Sequence, residues 1–316
     1  MGRFHRAFAI LLSFALLSGC ARRVPERDKT LHILATTYPI YLFTTAVVGN
    51  TEGVEVDLLV NSQTSCLHDH TLTVKDMKAI DQADVIIMNG VGLEDFMADA
   101  LAQSDAAVID CSENVTLLPT LEHAGHDGHD HEEEYDPHYW MDPRRAAAMM
   151  ALISDGLSEI DPDHADRYFL HEVTAYDKMG GLRQDMDVAL FQILTVTGKT
   201  SMDDLWPCDQ LITFHDGFQY FADAFNLTLL KAIEEEEGAT ASAAEIKEIT
   251  ALIEENHIPA IFVEKNGSRK TADVIAQETG CHVYELEMLM SGDGEGIQPY
   301  IDAIDRNLTT ILEAFS

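Results

Sequence analysis

A histidine-rich tract in the middle of the chain holds the residues best suited to chemistry. Five of the 14 histidines of the 316-residue chain fall between positions 122 and 143. Glycines and acidic residues separate the first four, and neither a helical nor a strand period runs through them. Such a tract is typical of a metal-binding loop, the alternative being a solvated acidic linker. We predict an auxiliary metal-binding loop at 122–134, with the imidazoles of His123, His126, His129 and His131.

The fifth histidine of this region, His138, lies in a segment of opposite character. It stands in the sequence Asp-Pro-His-Tyr-Trp-Met-Asp-Pro, which ends at Pro143. The two prolines fix the backbone on either side of the imidazole. We interpret this segment as a rigid support for one metal-ligating histidine, directly after a loose loop that collects metal.

Three further candidate ligands stand where predicted strands end in loops. His68 lies in Ser-Cys-Leu-His-Asp-His, His215 follows a buried strand, and Glu287 follows the last strand. Three imidazoles and one carboxylate suit zinc, which prefers four ligands in a tetrahedron. The predicted site therefore contains His68, His138, His215 and Glu287, with Asp293, Glu295 and Glu264 as alternative carboxylates.

The elements that must position these residues follow an α/β pattern. Short apolar segments such as 31–35, 85–88 and 260–263 alternate with helical segments. This alternation predicts parallel sheets with helices on both faces, and ligands bind outside the carboxyl ends of such strands. A helical period over more than five turns from position 165 predicts a connector between two domains. We predict an N-terminal lobe at 20–160, a connecting helix at 161–192 and a C-terminal lobe at 193–316, with the metal site in the cleft between the lobes.

The start of the chain indicates where the protein is located, and its net charge indicates which partners it can bind. Residues 1–19 have a positively charged start and a short apolar run, and Leu-Ser-Gly-Cys follows, which predicts a secretory signal peptide. Its end resembles a bacterial lipobox, which implies cleavage before Cys20 and a lipid on its sulfur; a plain signal peptide is the alternative. The formal net charge of −35 argues against nucleic-acid binding.

Four cysteines besides Cys20 are available for disulfides. An even number in an oxidising compartment predicts two disulfides. The four cysteines can be paired in three ways. We favour the way in which each disulfide lies inside one predicted lobe. The two disulfides are then Cys66–Cys111 and Cys208–Cys281.

Several segments resemble the zinc-binding cluster of ABC-transporter substrate-binding lipoproteins over nearly the whole mature chain. They are 36–40, 66–76, 136–143, 214–221, 262–265 and 275–280. The family's three histidines match His68, His138 and His215. Where relatives often have an aromatic residue this chain has His70, so no ligand role is carried onto it. The family usually carries an aspartate where this chain has Glu287.

The resemblance implies a binding protein rather than an enzyme. A monomer anchored to the membrane by lipid would capture extracytoplasmic zinc and deliver it to an ABC permease driven by a cytoplasmic ATPase. A manganese or iron importer of the same build is one alternative. A three-histidine zinc hydrolase is another, although the sequence contains no His-Glu-x-x-His helix.

Overall fold

Two parallel four-stranded sheets, each flanked by helices, form the framework of the protein. The computed structural model describes residues 30–61, 67, 70–121, 135–180, 208–233, 241–265 and 267–315. The first sheet belongs to an N-terminal lobe and the second to a C-terminal lobe. The predicted α/β fold with two parallel-sheet lobes is confirmed.

The N-terminal lobe contains the first four strands. Its elements are β1 (Leu31–Ala35), α1 (Tyr38–Val48), β2 (Val54–Leu58), α2 (Val74–Gln82), β3 (Val85–Met88), a 3-10 turn (Asp95–Met97), α3 (Ala98–Leu101), β4 (Ala107–Asp110), a 3-10 turn (Tyr139–Met141) and α4 (Pro143–Ile160). The strand order is β2-β1-β3-β4. The inner strands are apolar throughout, because a parallel sheet is covered on both faces.

The C-terminal lobe repeats this arrangement. Its elements are β5 (Gln210–Thr213), a 3-10 turn (Asp216–Phe218), α6 (Gln219–Ala224), β6 (Thr228–Ala232), α7 (Ala243–Asn256), β7 (Ala260–Glu264), α8 (Lys270–Thr279), β8 (His282–Leu286) and α9 (Gln298–Ala314). The order β6-β5-β7-β8 matches that of the first sheet. In both lobes the chain reverses its direction of winding between the two central strands, and ligands bind at such switch points.

Local sequence signals define where the helices begin. Thr73 and Ser242 each form a capping box at the start of α2 and α7, in which side chain and backbone satisfy each other's hydrogen bonds. Asp142 accepts a hydrogen bond from the backbone of Arg144, and Pro143 follows as the first residue of α4. The segment carrying His138 is thus joined directly to a well-defined helix.

A second helix follows α4. Residues 165–180 are helical and are called α5 here. Its His171 ring lies 3.1 Å from the carbonyl oxygen of Val47 at the end of α1. This helix falls within the predicted connecting segment 161–192, of which the part from 181 onward lies outside the described residues. Among the described residues, none of the helices is long and apolar enough to cross a membrane.

One apolar core is shared by the two lobes. The ring of Phe43 in α1 meets the ring of Tyr300 in α9 edge to face at 5.2 Å. Tyr139, Trp140 and Met141 are fully buried in the same cluster as Phe218 and Phe221 of the C-terminal lobe. Because this packing spans the junction, the residues that stand there are held by both lobes at once.

The structure corrects two predictions about the framework. Strand β6 was absent from the prediction because its apolar run directly precedes the acidic stretch at 234–237. The sequence after β3 also predicts a helix at 96–102, but the chain starts there as a 3-10 turn at Asp95 and becomes α-helical at Ala98.

The predicted disulfide between Cys208 and Cys281 is wrong, whereas the pairing of Cys66 with Cys111 stays a prediction. Cys208 and Cys281 are free thiols that precede β5 and β8, and β7 lies between these strands. Two strand spacings amount to about 9.6 Å, whereas bridged cysteines have Cα atoms roughly 4.4–6.8 Å apart. Cys111 is free as well, and its predicted partner Cys66 lies outside the described residues. Burial raises the pKa of the Cys111 thiol.

Candidate metal centre

His215 is presented by the end of a central strand. It follows β5 directly, and its own backbone is extended before the chain turns into the 3-10 helix at Asp216. Its Nδ1 atom accepts a hydrogen bond from the backbone N–H of Gly217 at 2.9 Å and lies 3.2 Å from Oδ1 of Asp216. The imidazole is buried, and the strand end together with the hydrogen bond from Gly217 fixes its orientation.

His138 is presented by the rigid segment that the sequence predicted. Oδ1 of Asp136 accepts hydrogen bonds from the His138 backbone N–H at 2.8 Å and from Nδ1 of its ring at 2.7 Å. Because Nδ1 is held by the carboxylate, Nε2 is left with its lone pair. This is the arrangement by which carboxylates orient zinc-binding histidines.

Deep packing of the next residues holds the His138 segment in place. The ring of Trp140 stands 5.2 Å from that of His138, and its Nε1–H donates to the carbonyl of Met288 at 3.0 Å. The hydroxyl of Tyr300 donates in turn to the carbonyl of Trp140 at 2.8 Å. Both partners belong to the C-terminal lobe, so the His138 segment is anchored across the junction.

The two imidazoles meet where the lobes join. Their ring centroids are 5.0 Å apart and the rings are nearly perpendicular. His138, His215 and Asp216 offer ligand atoms that all lie within 4.8 Å of one another, the one such cluster in the described part of the chain. Two nitrogen ligands and one oxygen ligand at this spacing can converge on a single cation.

The electrostatic surroundings of His138 favour positive charge. Burial acts to lower its pKa, but the charge and hydrogen bond of Asp136 outweigh burial, with further contributions from the charges of Asp216 and Glu264. The net effect raises the pKa of His138 above its usual value. The same negative field stabilises a metal cation, which competes with the proton for the imidazole.

A glycine makes the close approach of the two histidine segments possible. A Cβ atom at Gly217 would lie 2.9 Å from two ring atoms of His138 and 2.2 Å from the terminal carbon of Met288. Real Cβ atoms essentially never approach other atoms so closely. Gly217 is therefore part of the site, because its missing side chain is the space that the His138 ring occupies.

The predicted carboxylate, Glu287, lies in a different environment. It pairs with Lys265 at 3.2 Å and accepts a hydrogen bond from Arg306, while Asn307 holds its backbone. Two cations thus engage this carboxylate, and it is outside the cluster of His138 and His215.

The structure also shows the surroundings of the alternative carboxylates and of His70. The charges of Asp293 and Glu295 act on Tyr38 and Tyr41 respectively. Glu264 ends the central strand β7, and its charge reaches His138. The His70 ring packs edge to face on Phe96 with centroids 5.0 Å apart.

Several predicted residues fall outside the described ranges. They are the third candidate histidine His68, the loop histidines His123, His126, His129 and His131, and the cysteines Cys20 and Cys66. Their roles stay predictions.

Sequence reasoning did not assign roles to Asp136, Asp216 or Gly217. The spacing Asp-Pro-His places a carboxylate two residues before the imidazole, and His-Asp-Gly places one directly after it. Both patterns are visible in the sequence, but only the folded backbone shows which oxygen faces which ring.

Two α/β lobes with two buried imidazoles and a partly buried carboxylate at their junction define the class of metal-binding substrate-binding proteins. The family model described as zinc-uptake complex component A, periplasmic (ZnuA), matches residues 33–314. The chain therefore belongs to this family. Because the family is defined by uptake, the alternative of a zinc hydrolase is set aside.

Two curated relatives are named for zinc binding or zinc uptake. The zinc-binding lipoprotein AdcA of Streptococcus pneumoniae strain R6 is 28% identical over 298 residues, which cover 90% of this chain and 56% of AdcA. The chain thus spans little more than half the length of this relative. The high-affinity zinc uptake system protein ZnuA of Bacillus subtilis strain 168 is 26% identical, and the alignment covers 97% of this chain and 96% of ZnuA.

Solved structures share the fold. A crystal structure of ZnuA has a TM-score of 0.75 at 24% identity, covering 91% of this chain and all of that one. FpvC from Pseudomonas aeruginosa in complex with Mn²⁺ has a TM-score of 0.76 at 24% identity, covering 91% and 99%. A zinc-bound variant of AdcAII from Streptococcus pneumoniae has a TM-score of 0.74 at 25% identity, with the same coverage.

Proposed function

We propose that the protein captures one zinc ion between its lobes and delivers it to an ABC importer. The observation that carries the proposal is the pair of buried imidazoles of His138 and His215, which face each other at the junction with carboxylates beside them. Membership of the zinc-uptake family and the names of its relatives support the same cargo.

The proposed ligands are three imidazoles and one carboxylate. His138 and His215 supply two of the nitrogens, and His68 is the third by its match to the family's first histidine. Asp216 supplies the carboxylate in place of Glu287, because Asp216 lies within the cluster and Glu287 is engaged by Lys265 and Arg306. Asp136 orients His138 without touching the ion.

This ligand set favours zinc over manganese. Imidazole nitrogens suit zinc, whereas carboxylates and water suit manganese, and the general order of affinities already places zinc far above manganese. FpvC, which shares the fold, is in complex with Mn²⁺, and AdcAII, which also shares it, is bound to zinc, so the fold alone does not select the metal. The choice of metal is therefore set by the side chains, with His215 as the deciding residue.

The predicted start of the chain supports a binding step outside the cytoplasm. The predicted signal at 1–19 and lipidated Cys20 would attach a monomeric protein to the membrane beside a permease and its cytoplasmic ATPase. The histidine-rich loop at 122–134 would supply weaker auxiliary zinc sites. Named lipoproteins among the relatives support this arrangement.

The decisive experiment measures metal content and affinity. Protein purified in dilute mixed metals should contain one tightly held zinc per chain, by mass spectrometry of the metal. Competition with chelators should show much weaker manganese binding. A protein that retains manganese in preference to zinc contradicts the proposed cargo.

A single substitution tests the deciding residue. His215→Glu replaces an imidazole by a carboxylate and should weaken zinc binding by a factor of 100 or more, while narrowing the gap between zinc and manganese. His257→Glu is the matched control, since His257 ends α7 on the surface. Equal zinc affinity in wild type and His215→Glu would remove His215 from the site.

A further inference from the structure

One buried tyrosine of the C-terminal lobe holds the segment that carries His138. Tyr220 lies in α6, five positions after His215, and its side chain is fully buried. Its hydroxyl donates to the carbonyl of Asp136 at 2.8 Å and accepts from the backbone N–H of Leu118 at 2.8 Å. Asp136 is the residue that orients the His138 ring.

The two backbone groups that Tyr220 binds lie on either side of the histidine-rich segment 122–134 in the sequence. Asp136 N–H donates to the carbonyl of Leu118 at 3.0 Å, and Pro119 and Tyr135 form an antiparallel bridge. The hydroxyl of Tyr220, in the opposite lobe, therefore joins the backbone segments at Leu118 and Asp136. The second of these segments continues directly into Pro137 and His138.

An arginine secures the same tyrosine from the N-terminal lobe. The guanidinium of Arg145 lies 4.7 Å from the centre of the Tyr220 ring. It also pairs with Asp142 of its own lobe at 2.5 Å and with Asp223 of α6 at 2.9 Å, and its Nε–H donates to the carbonyl of Thr116 at 2.9 Å. Because Arg145 is mostly buried, these contacts are less screened by solvent than a surface pair.

We propose that Tyr220 is a positioning residue for the metal site, which holds Asp136 and His138 of one lobe in register with His215 of the other. This inference rests on the proposed function, since it concerns the same site. His215 and Tyr220 are on one short stretch of chain, so a fixed Tyr220 fixes the distance between the two imidazoles. The consequence is a site that is arranged before metal arrives, which lowers the cost of ordering ligands on binding.

The test compares two tyrosine-to-phenylalanine variants. Tyr220→Phe removes only the hydroxyl. Two hydrogen bonds are then lost, the one that the hydroxyl accepts from the Leu118 N–H and the one that it donates to the Asp136 carbonyl. Tyr168→Phe is the matched control, because its buried side chain donates a hydroxyl hydrogen bond to Asp161 at the start of the α5 region. Tyr220→Phe loses two hydrogen bonds to neutral backbone groups, and Tyr168→Phe loses one to a carboxylate. Because a hydrogen bond to a charged group is worth roughly twice a neutral one, the two variants should lose similar thermal stability.

Only Tyr220→Phe should change the metal site. We expect about a tenfold loss of zinc affinity, the lower end of the effect of residues that support metal ligands. The visible absorption of bound Co²⁺ should also shift, because the angle between the two imidazoles changes. Tyr168→Phe should match wild type in both measurements. Equal zinc affinity and identical Co²⁺ spectra in the two variants would overturn the proposal.

Further measurements separate this inference from the proposed function. Wild-type protein that binds no zinc tightly refutes the function, whereas the difference between the two variants addresses positioning alone. In metal-free Tyr220→Phe, hydrogen exchange of the Leu118 and Asp136 amides should accelerate. Should Tyr220→Phe fail to fold, Asp223→Asn, which removes the exposed partner of Arg145, should weaken zinc binding about twofold to fivefold; unchanged affinity there would overturn the proposal.

Discussion

Asp216 and Glu287 offer a direct test of which carboxylate belongs to the metal site. The sequence favours Glu287 because it follows the last strand, whereas the structure places Asp216 beside both imidazoles. The substitutions Asp216→Asn and Glu287→Gln each replace a carboxylate by an amide of the same shape. They therefore remove charge and ligand character while keeping the volume of the side chain.

The expected effect of Asp216→Asn follows from its distance to the other ligand atoms. The candidate ligand atoms lie at most 4.8 Å apart, and two unit charges at that upper limit interact by about 3.5 kcal/mol at an effective dielectric constant of 20, while zinc carries two charges. The Asp216 side chain is 31% exposed, so solvent screens much of this interaction. We expect a loss of about 1.4–2.7 kcal/mol, which is a tenfold to 100-fold weaker zinc affinity.

Glu287→Gln should behave differently. Its carboxylate is already compensated by Lys265 and Arg306, so removal of its charge frees two cations and deprives the metal of little. We expect less than about a threefold change in zinc affinity and a small loss of stability. Competition with a chromogenic chelator at fixed pH measures both variants. A larger loss in Glu287→Gln than in Asp216→Asn would refute the assignment of Asp216 and restore Glu287.

Three other perturbations address the loop, the packing and the protonation of the site. Deletion of 122–134 should remove the weak zinc sites and leave the tight one in equilibrium titrations, because an antiparallel bridge already pairs the loop's ends; loss of tight binding would contradict the assignment of the site. Gly217→Ala should weaken zinc binding at least tenfold because the new methyl group meets the His138 ring, while Gly180→Ala, where a Cβ meets nothing within 4 Å, should bind zinc as wild type does. Zinc affinity should fall as pH is lowered, starting above the ordinary histidine value of about 6.5, because the pKa of His138 is raised. In the metal-free protein the shift has the opposite consequence, since the His138–Asp136 pair stabilises the fold at low pH and this contribution is lost as pH rises through the raised pKa.

The framework was largely predictable because its signals are local. Strands β1 and β3 have the predicted bounds, 31–35 and 85–88, since short apolar runs mark their ends. Strand β6 escaped prediction because nothing in its apolar run separates a strand from the start of the acidic stretch after it. The order of the strands is not local information, and the error over Cys208 and Cys281 arises there. Two cysteines in one lobe satisfy the rule of proximity in sequence, but β7 keeps their strands apart.

The site was predictable in its ligand types but not in its supporting residues. His215 could be recognised because it directly follows a buried strand, and His138 because prolines stand on either side of its segment. Asp216 is one of 55 acidic residues, so its type alone distinguishes nothing. Its role depends on the 3-10 turn that begins there and brings its oxygen to 3.2 Å from the His215 ring. Gly217 and Tyr220 depend on the opposite lobe, which no local pattern reports.

The two imidazoles of the site have unequal support, and this difference has a functional consequence. His215 stands on the end of a central strand, where backbone hydrogen bonds to β6 and β7 hold it within one lobe. His138 is not at a strand end. It belongs to the long connection after β4. Two neighbouring residues attach it to the other lobe: Trp140 donates a hydrogen bond to Met288, and Asp136 accepts one from Tyr220. Any separation of the lobes would therefore withdraw the support of His138 while leaving that of His215 intact. Release of the ion to a transporter would then begin with the loss of His138 rather than with the loss of both ligands together. Rapid-mixing chelation of zinc should accordingly be faster in Tyr220→Phe than in wild type, with the association rate little changed. An unchanged dissociation rate in that variant would show that His138 needs no support from the opposite lobe.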